Sequence, residues 1–250
     1  MDLGLQDRVA LVTGAGQGIG RAIAETLGRE GARVAIHYHT SSAGAEAARA
    51  TIVAQGGRAA TFGGDLRRPG FAAELVRAVE DALGPVDVLV NNAAAVLIKP
   101  FLESTPEEWR DAFEVTLFAG MALTHAVLPK MVERRRGSII MMAGDAGRTG
   151  ESRLAATAAS RAAAMAFAKS IAREFGRYGV RANVVSLGVV EKDGESHVPP
   201  SQLERVLRLY PLGRLGRVDD VPPLVALLAS DRTGWVTGQV FSVNGGYVMP

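Results

Sequence analysis

Short runs of β-branched and other apolar residues alternate along this chain with alanine-rich stretches whose apolar positions recur at helical spacing. The apolar runs predict strands at residues 9–13, 33–37, 59–62, 86–90, 138–142, 182–186 and 240–243. The amphipathic stretches predict helices at residues 21–29, 43–54, 106–133, 161–174 and 221–228, and a further helix that Pro69 opens in its first turn. Strand alternating with helix predicts a single-domain α/β protein over residues 1–250, a doubly wound parallel sheet of about seven strands with helices on both faces.

The regular alternation stops between residues 188 and 217, where glycine, proline, serine and charged residues surround one short helical segment at residues 202–210. An insertion after a late strand of a doubly wound sheet lies over the carboxyl ends of the strands, where ligands bind. We therefore predict that residues 188–217 form a substrate lid. A surface loop with no part in binding is the alternative.

The composition fits one domain and excludes several kinds of site. The chain has 250 residues, of which 48% are hydrophobic, and this is enough for one sizeable core. It contains no cysteine, so disulfides, thiolate metal sites and a cysteine nucleophile are excluded.

The charge pattern does not favour a nucleic-acid partner. The sequence pI is near 9.1, but the formal net charge is only +2 and the arginines are scattered among acidic residues. The run Arg134-Arg135-Arg136 is explained by the favourable position of cations at a helix C-terminus. The first residues lack the pattern of a targeting signal, and no stretch is expected to span a membrane. We therefore expect a cytoplasmic protein with no nucleic-acid or membrane partner.

A glycine-rich turn joins the first predicted strand to the first predicted helix. It reads Thr13-Gly14-Ala15-Gly16-Gln17-Gly18-Ile19-Gly20. Its glycines allow a tight turn and let a pyrophosphate approach the backbone at the N-terminus of the helix. The spacing differs from the common G-x-G-x-x-G pattern, so the strand-turn-helix context carries the prediction of a dinucleotide site.

Together with this turn, several further segments resemble the short-chain dehydrogenase/reductase family, whose glycine motif is T-G-x-x-x-G-x-G. They are Asp65-Leu66, Asn91-Asn92-Ala93, Asn183, Pro211-Leu212-Gly213-Arg214, Thr237-Gly238 and Asn244-Gly245-Gly246. The resemblance implies a Rossmann-type fold that binds NAD(H) or NADP(H), with Asp65 on the adenine amino group and Asn91 supporting the adenosine side. The cofactor-binding residues predicted on this basis are Gly14, Gln17, Gly18, Ile19, Gly20, His37, His39, Asp65, Leu66, Asn91, Ala93 and Arg161.

The end of the second predicted strand bears on the choice of cofactor, because a carboxylate there binds the ribose 2′-hydroxyl and disfavours a 2′-phosphate. This chain has His37, Tyr38, His39 and Thr40 at that place. The lack of a carboxylate favours NADP(H) over NAD(H), although no arginine is present there to bind the phosphate. A chain that binds neither cofactor stays an alternative. His37 and His39 share one face of a strand, but without a third ligand nearby they predict no metal site.

The resemblance also implies a catalytic serine, tyrosine and lysine, and an asparagine on the preceding long helix. Alignment on residues 168–174 puts Gly144 at the serine, Thr157 at the tyrosine, Arg161 at the lysine and Thr116 at the asparagine. A threonine hydroxyl is not acidic enough at neutral pH, and an arginine does not release its proton. We therefore predict a divergent member that lacks the Ser-Tyr-Lys residues and cannot run the ordinary reductase mechanism.

The principal functional prediction is a non-catalytic subunit that pairs with an active dehydrogenase or reductase. Family members assemble through the two long helices, and the alanines between residues 155 and 164 would permit close helix approach. We therefore expect a homo- or hetero-oligomer, a dimer or a tetramer, for which an active relative is one candidate partner.

Two other functions stay open. One is an NAD(P)-dependent oxidoreductase, or a non-redox enzyme, whose rebuilt site uses Asp145 or a lid residue. The other is a cofactor-sensing scaffold that binds the dinucleotide without turnover. Further candidate groups for a rebuilt site are Glu191, Lys192 and Asp193, and more weakly His125, His197 and Tyr210.

Overall fold

The computed structural model describes residues 2–191 and 198–249, which form one α/β domain around a single sheet. Seven strands lie in the order β3-β2-β1-β4-β5-β6-β7, and every neighbouring pair is parallel. They are β1 (Val9–Val12), β2 (Arg33–Tyr38), β3 (Arg58–Gly63), β4 (Val88–Asn91), β5 (Gly137–Gly144), β6 (Val180–Leu187) and β7 (Val240–Val243). The predicted single-domain doubly wound parallel sheet is therefore confirmed.

Helices cover both faces of the sheet. They are α1 (Gly18–Arg29), α2 (Ser42–Ala54), α3 (Phe71–Leu83), α4 (Pro106–Phe113), α5 (Ala119–Glu133), α6 (Ala146–Thr149), α7 (Ala155–Phe175), α8 (Pro200–Leu207) and α9 (Pro222–Ala229). Ala10 and Val12 of β1 pack with α1, α2 and α9, whereas Val9 and Leu11 pack with α3, α5 and α7. Since alternate strand residues face opposite sides and both sides are buried, the strands are apolar along their whole length.

Two helix starts differ from the sequence prediction. The prediction that Pro69 opens the first turn of a helix was wrong, because α3 begins at Phe71 after the left-handed Gly70, whose φ is 81°. Helix α7 begins at Ala155, well before residue 161, because the intervening alanines have high helix propensity. Thr157 and Arg161 therefore lie on one helix, one turn apart.

The longest apolar helix runs from Pro106 to Glu133 as α4, a π-helical segment (Glu114–Phe118) and α5. Thr105 begins it with a capping box to Glu108. By length and composition alone this helix is long enough and apolar enough to cross a membrane, a feature that the sequence analysis did not anticipate. Half of its most apolar window is buried, because α5 packs on α3 and the sheet while α4 packs on α7. The cytoplasmic location stays a prediction.

The insertion predicted as a lid is closed by contacts between its own first and last residues. The hydroxyl of Tyr210 accepts a hydrogen bond of 2.9 Å from the Val189 N–H, and Val190 pairs with Gly216 as a parallel bridge. The short helix of the insertion, α8, covers residues 200–207 instead of 202–210. Lys192, Asp193 and His197 lie outside the described residues, and the lid function of residues 188–217 stays a prediction.

Candidate functional site

A cleft of about 540 Å³ opens at the carboxyl ends of the central strands. Its walls include residues 14 and 16–20, residues 37–41 at and after the end of β2, residues 65–67 after β3 and residues 92–95 after β4. Val190 and Glu191, after β6, line it at the far side of the sheet. Because β1 lies between β2 and β4, the chain changes direction across the sheet here, and ligands of open α/β sheets bind at such a switch point.

The glycine-rich turn is fastened to the end of β4. The Thr13 hydroxyl accepts hydrogen bonds of 3.0 Å from the N–H groups of both Asn92 and Ala93. The Asn92 amide donates in return to the carbonyls of Thr13, at 2.9 Å, and Gly14, at 3.3 Å. These bonds fix the edge of the cleft before any ligand is bound, which lowers the ordering cost of binding.

Two glycines of the turn are required for different reasons. A Cβ on Gly20 would lie 2.4 Å from Asn92 Nδ2 and 2.5 Å from the Gly14 carbonyl oxygen, so no larger residue fits. Gly18 has open space around it but a φ of +53°, a backbone conformation that side chains disfavour. The turn therefore brings bare backbone to the cleft wall.

Helix α1 starts inside this wall. It begins at Gly18, and its first turn contains no acidic residue. The amides of a helix N-terminus and the positive end of the helix dipole attract anions such as a pyrophosphate. This N-terminus and the glycines of the turn, which line the cleft together with Gln17 and Ile19, fit the diphosphate of a dinucleotide.

His37 is buried behind the turn and holds it in place. Its Nδ1 accepts a bond of 3.3 Å from the Gly14 N–H, and its Nε2 lies 3.1 Å from the Gly64 carbonyl oxygen, to which it donates. Burial lowers the pKa of His37 to about 4, so the ring is neutral at physiological pH. Both ring nitrogens are used within the protein, so His37 shapes the wall of the cleft.

His37 lies within β2, whereas His39 follows the last residue of that strand. Strand β2 ends at Tyr38, and the side chain of His39 is 52% exposed at the cleft mouth. No group of three or more potential metal ligands occurs in residues 2–191 and 198–249.

Asp65, Leu66 and Arg67 form the corner of the cleft next to His39. The Arg67 guanidinium grips the Asp65 carboxylate at two points, Nε to Oδ1 at 3.0 Å and Nη2 to Oδ2 at 2.8 Å. Its third nitrogen, Nη1, lies 2.6 Å from Asp111 Oδ1 on α4. Hydrogen bonds from the side chain and the backbone of Arg67 lower the pKa of Asp65 to about 2. The corner is therefore a compact network of charges at the end of β3.

Asn91 lies beneath the cleft and not on its wall. Its Nδ2 is 3.1 Å from Met141 Sδ, and its Oδ1 has no hydrogen-bond partner among the described residues. The neighbouring Asn92 and Ala93 line the cleft. The predicted support of the adenosine side by Asn91 can therefore act only through the strand end that carries Asn92.

Thr157 and Thr116 both fasten the segment that follows β4. The Thr157 hydroxyl accepts from the Leu97 N–H at 2.8 Å and donates to the Leu97 carbonyl at 3.1 Å. Thr116, in the π-helical segment, makes the same pair of contacts with Ala95 at 3.3 and 3.4 Å. Neither threonine is among the described residues of the cleft wall. Both hydroxyls hold backbone in place.

Gly144 and Arg161 are the other two residues that the family resemblance aligns with catalytic positions. A Cβ on Gly144 would have only the Leu187 carbonyl oxygen near it, at 3.7 Å, so there is space for a side chain. Arg161 donates from Nη1 to the Met142 carbonyl at 2.9 Å and makes no ion pair with a carboxylate within the described ranges. Burial lowers the pKa of its guanidinium to about 10, which leaves it charged at neutral pH. It does not reach the described cleft wall.

Asp145 is buried between β5, β6 and the segment after β7. Its Oδ1 accepts a bond of 2.6 Å from the Ser186 hydroxyl, and its Oδ2 accepts from the Asn244 amide at 2.5 Å. The carboxylate thus has a donor on each oxygen and lies off the described cleft wall. These two contacts hold β5, β6 and the segment after β7 together. The predicted part of Asp145 in a rebuilt site stays a prediction.

Arg67 is one of the cleft residues that sequence reasoning missed, together with Asp111 and Val115. It stands two positions after Asp65, so the Asp-Leu-Arg triplet after the third predicted strand was the available signal. It was overlooked because only the end of β2 was searched for a basic residue. The pairing of Tyr38 with Gly63 places the ends of β2 and β3 side by side.

Comparison with known proteins identifies the fold and the family. The family profile described as enoyl-(acyl carrier protein) reductase matches residues 14–248. The 3-oxoacyl-[acyl-carrier-protein] reductases of Escherichia coli (strain K12) and Vibrio cholerae are each 36% identical over 247 residues, covering 99% of this chain and 100% of theirs. This chain belongs to the short-chain dehydrogenase/reductase family.

Two solved structures are similar to this chain in fold. A putative gluconate dehydrogenase from Agrobacterium tumefaciens has a TM-score of 0.94 and 24% identity with full coverage of both chains, a likeness of fold alone. A blue fluorescent protein from a metagenomic library, in complex with NADPH, has a TM-score of 0.92 and 31% identity, covering 98% of this chain and 99% of its own.

The prediction that this family member is a non-catalytic subunit is wrong. Reductases match it from end to end at 36% identity, which favours an active NAD(P)-dependent reductase. The sequence argument equated the loss of aligned side chains with the loss of the reaction. A different side chain at one position removes one route for a proton, whereas hydride transfer depends on how cofactor and substrate are held.

Proposed function

We propose that this chain is an active NAD(P)(H)-dependent oxidoreductase that reduces a carbonyl group and prefers NADP(H). The observation that carries the proposal is the end-to-end similarity to 3-oxoacyl-[acyl-carrier-protein] reductases. The fit of the glycine turn and the N-terminus of α1 to a diphosphate supports it, as does the NADPH complex of a relative with 31% identity. A 3-oxoacyl thioester is therefore the first substrate to test.

The described cleft residues divide the work of holding the cofactor. The backbone of residues 14–20 and the N-terminus of α1 bind the diphosphate. Asp65 and Leu66 hold the adenine, and the residues after β2 face the ribose next to it. Ala93 to Ala95 and Val190 line the path towards β6, where the nicotinamide belongs.

The cofactor, when bound, supplies a hydride to the carbonyl carbon, and a protein group must deliver a proton to the carbonyl oxygen. We assign Gly144, Thr157 and Arg161 to the family's serine, tyrosine and lysine positions, so the usual proton donor is replaced. Thr157 has its hydroxyl engaged at both ends by Leu97. Tyr210 is also unsuited, because burial raises the pKa of its phenol above the ordinary value.

Glu191 is the group that this proposal assigns to proton transfer. It lies on the cleft wall after β6, on the side of the sheet away from Asp65, and belongs to the predicted lid. Its backbone N–H donates to the Gly216 carbonyl at 2.8 Å, which fixes the segment that carries it. Asp145, the other carboxyl considered for a rebuilt site, has both oxygens engaged by Ser186 and Asn244.

Oxidation of NADPH by the purified chain, with a panel of 3-oxoacyl thioesters, tests the proposal. Turnover above the rate without protein is the expected result. Glu191→Gln should lower kcat about 10²- to 10⁴-fold, the usual contribution of a general acid, and leave the Kd for NADPH unchanged. Asp145→Asn is the matched control. It should lower the melting temperature and leave kcat nearly unchanged. Binding of neither NADPH nor NADH would refute the proposal.

We also propose a homo-oligomer that assembles through α5 and α7. The outward face of α7 carries exposed Ala155, Ala159 and Ala162 at helical spacing. Beside it, the long helix exposes Phe118 and Met121, which are 49% and 39% accessible. Small residues on one helix next to large apolar ones on the other permit close helix packing. Light scattering coupled to size exclusion should give a dimer or tetramer, and a strictly monomeric chain at micromolar concentration contradicts this assembly.

A further inference from the structure

We propose that Arg67 selects NADP(H) by exchanging the Asp65 carboxylate for the 2′-phosphate of the cofactor. The inference rests on the proposed function, because it requires a nicotinamide dinucleotide in the cleft. It concerns a residue after β3, whereas discrimination in dinucleotide folds is usually sought after β2.

The first step of the argument is the position of Arg67. Strands β2 and β3 are paired through Tyr38 and Gly63, so the residues that follow them meet at one corner of the cleft. Arg67 Nη2 lies 2.8 Å and His39 Nε2 lies 3.8 Å from the same atom, Asp65 Oδ2. The guanidinium is therefore beside the strand end where the 2′ position of the ribose is recognised.

The second step is that Asp65 is already occupied. Both of its oxygens accept hydrogen bonds from Arg67, and the family resemblance gives Asp65 the adenine amino group as its partner. A bound adenine must therefore compete with Arg67 for this carboxylate. Any dinucleotide meets that competition, with or without a 2′-phosphate.

The third step is that only NADP(H) offers Arg67 a replacement partner. A phosphate binds the planar guanidinium through two parallel hydrogen bonds, as a carboxylate does. Arg67 is 42% exposed at the cleft edge, so its long side chain can turn towards a ligand within the cleft once its contact with the Asp65 carboxylate is exchanged. NAD(H) has a hydroxyl at the 2′ position and leaves the displaced guanidinium with Asp111 alone.

The test is a titration of wild-type and variant protein with NADPH, NADH, adenosine 2′,5′-bisphosphate and AMP, followed by calorimetry. For Arg67→Ala the Kd of NADPH and of the bisphosphate should rise about 10- to 100-fold, as for loss of a charge-assisted bidentate contact. The Kd of NADH and of AMP should stay constant or fall by up to about fivefold, because Asp65 is released. Arg67→Lys should give an intermediate ratio, since a lysine keeps the charge but lacks the planar fork.

Arg68→Ala is the matched control. The Arg68 guanidinium pairs with Glu74 and lies 4.9 Å from the centre of the Phe71 ring, and it is not among the described residues of the cleft wall. Its removal should leave all four affinities unchanged. If wild type binds the cofactors and Arg67→Ala preserves the NADPH to NADH ratio within about twofold, the role of Arg67 is refuted while the proposed function stands. If wild type binds no dinucleotide, the proposed function fails and this inference fails with it.

Discussion

Acidification should weaken the fold through one buried side chain, His37, before most carboxylates titrate. The pKa of His37 is lowered from 6.5 to about 4 by burial, so the unfolded chain takes up this proton first as the pH falls. The stabilising contribution is therefore fully present above about pH 6.5 and is lost progressively as the pH falls towards about 4. At about 1.4 kcal/mol per pKa unit, the complete loss is about 3 kcal/mol, of which about 2 kcal/mol is lost between pH 8 and pH 5.

The assay is urea unfolding of wild type and His37→Asn at these two pH values, with His39→Asn as an exposed-histidine control. His37→Asn lowers the free energy of unfolding at both pH values because the Gly14 and Gly64 contacts change. The quantity to compare is the loss between the two pH values, which should be about 2 kcal/mol smaller in His37→Asn than in wild type or His39→Asn. Equal losses in all three proteins would show that His37 is not a neutral buried group, and the reasoning about its tautomer would fall.

Four further variants probe the site and the assembly. Gly20→Ala should abolish cofactor binding or unfold the turn, whereas Gly18→Ala should cost only about 1 kcal/mol of backbone strain, and thermal unfolding with cofactor titration distinguishes the two. Thr157→Val removes two hydrogen bonds without changing the side-chain shape much and should destabilise the chain by about 1–3 kcal/mol in urea melts; an unchanged midpoint would contradict its anchoring role. Phe118→Glu should shift the chain towards a smaller species in size exclusion, and an unaltered elution volume would place the interface elsewhere.

The sequence was sufficient for the fold because periodicity and turn chemistry act locally. Apolar runs of strand length between amphipathic stretches allow few arrangements other than a parallel sheet, and the glycine turn lies where its pattern indicated. The start of α7 was placed too late because an alanine helix has no sharp hydrophobic period in its first turns. Pro69 was wrongly predicted to lie in the first turn of a helix, because the sequence does not distinguish a proline just before a helix from one in its first turn.

The site was less accessible to sequence reasoning because its contacts are long-range. Asp65 and Arg67 are neighbours in sequence, but Asp111 lies 44 residues after Arg67, so their network appears only once the segment after β3 and α4 are folded side by side. The assignment of Thr116, Gly144, Thr157 and Arg161 to the family's catalytic positions stays a prediction, and the inference from it to an inactive subunit was wrong. Which group carries a proton depends on what else lines the cleft. Glu191 was one of the sequence candidates, but its place on the cleft wall follows only from the packing of the segment after β6.

The paired hydrogen bonds between Thr157 and Leu97 limit which side chains can replace the threonine at residue 157. A tyrosine at residue 157 would carry its hydroxyl beyond the ring, so the Leu97 amide and carbonyl would each lose a partner, at about 1–3 kcal/mol for a buried group. Thr157→Tyr alone is therefore expected to lower stability. A compensating change in residues 95–98, which would give the Leu97 amide and carbonyl new partners, is needed before a tyrosine can be accommodated at residue 157.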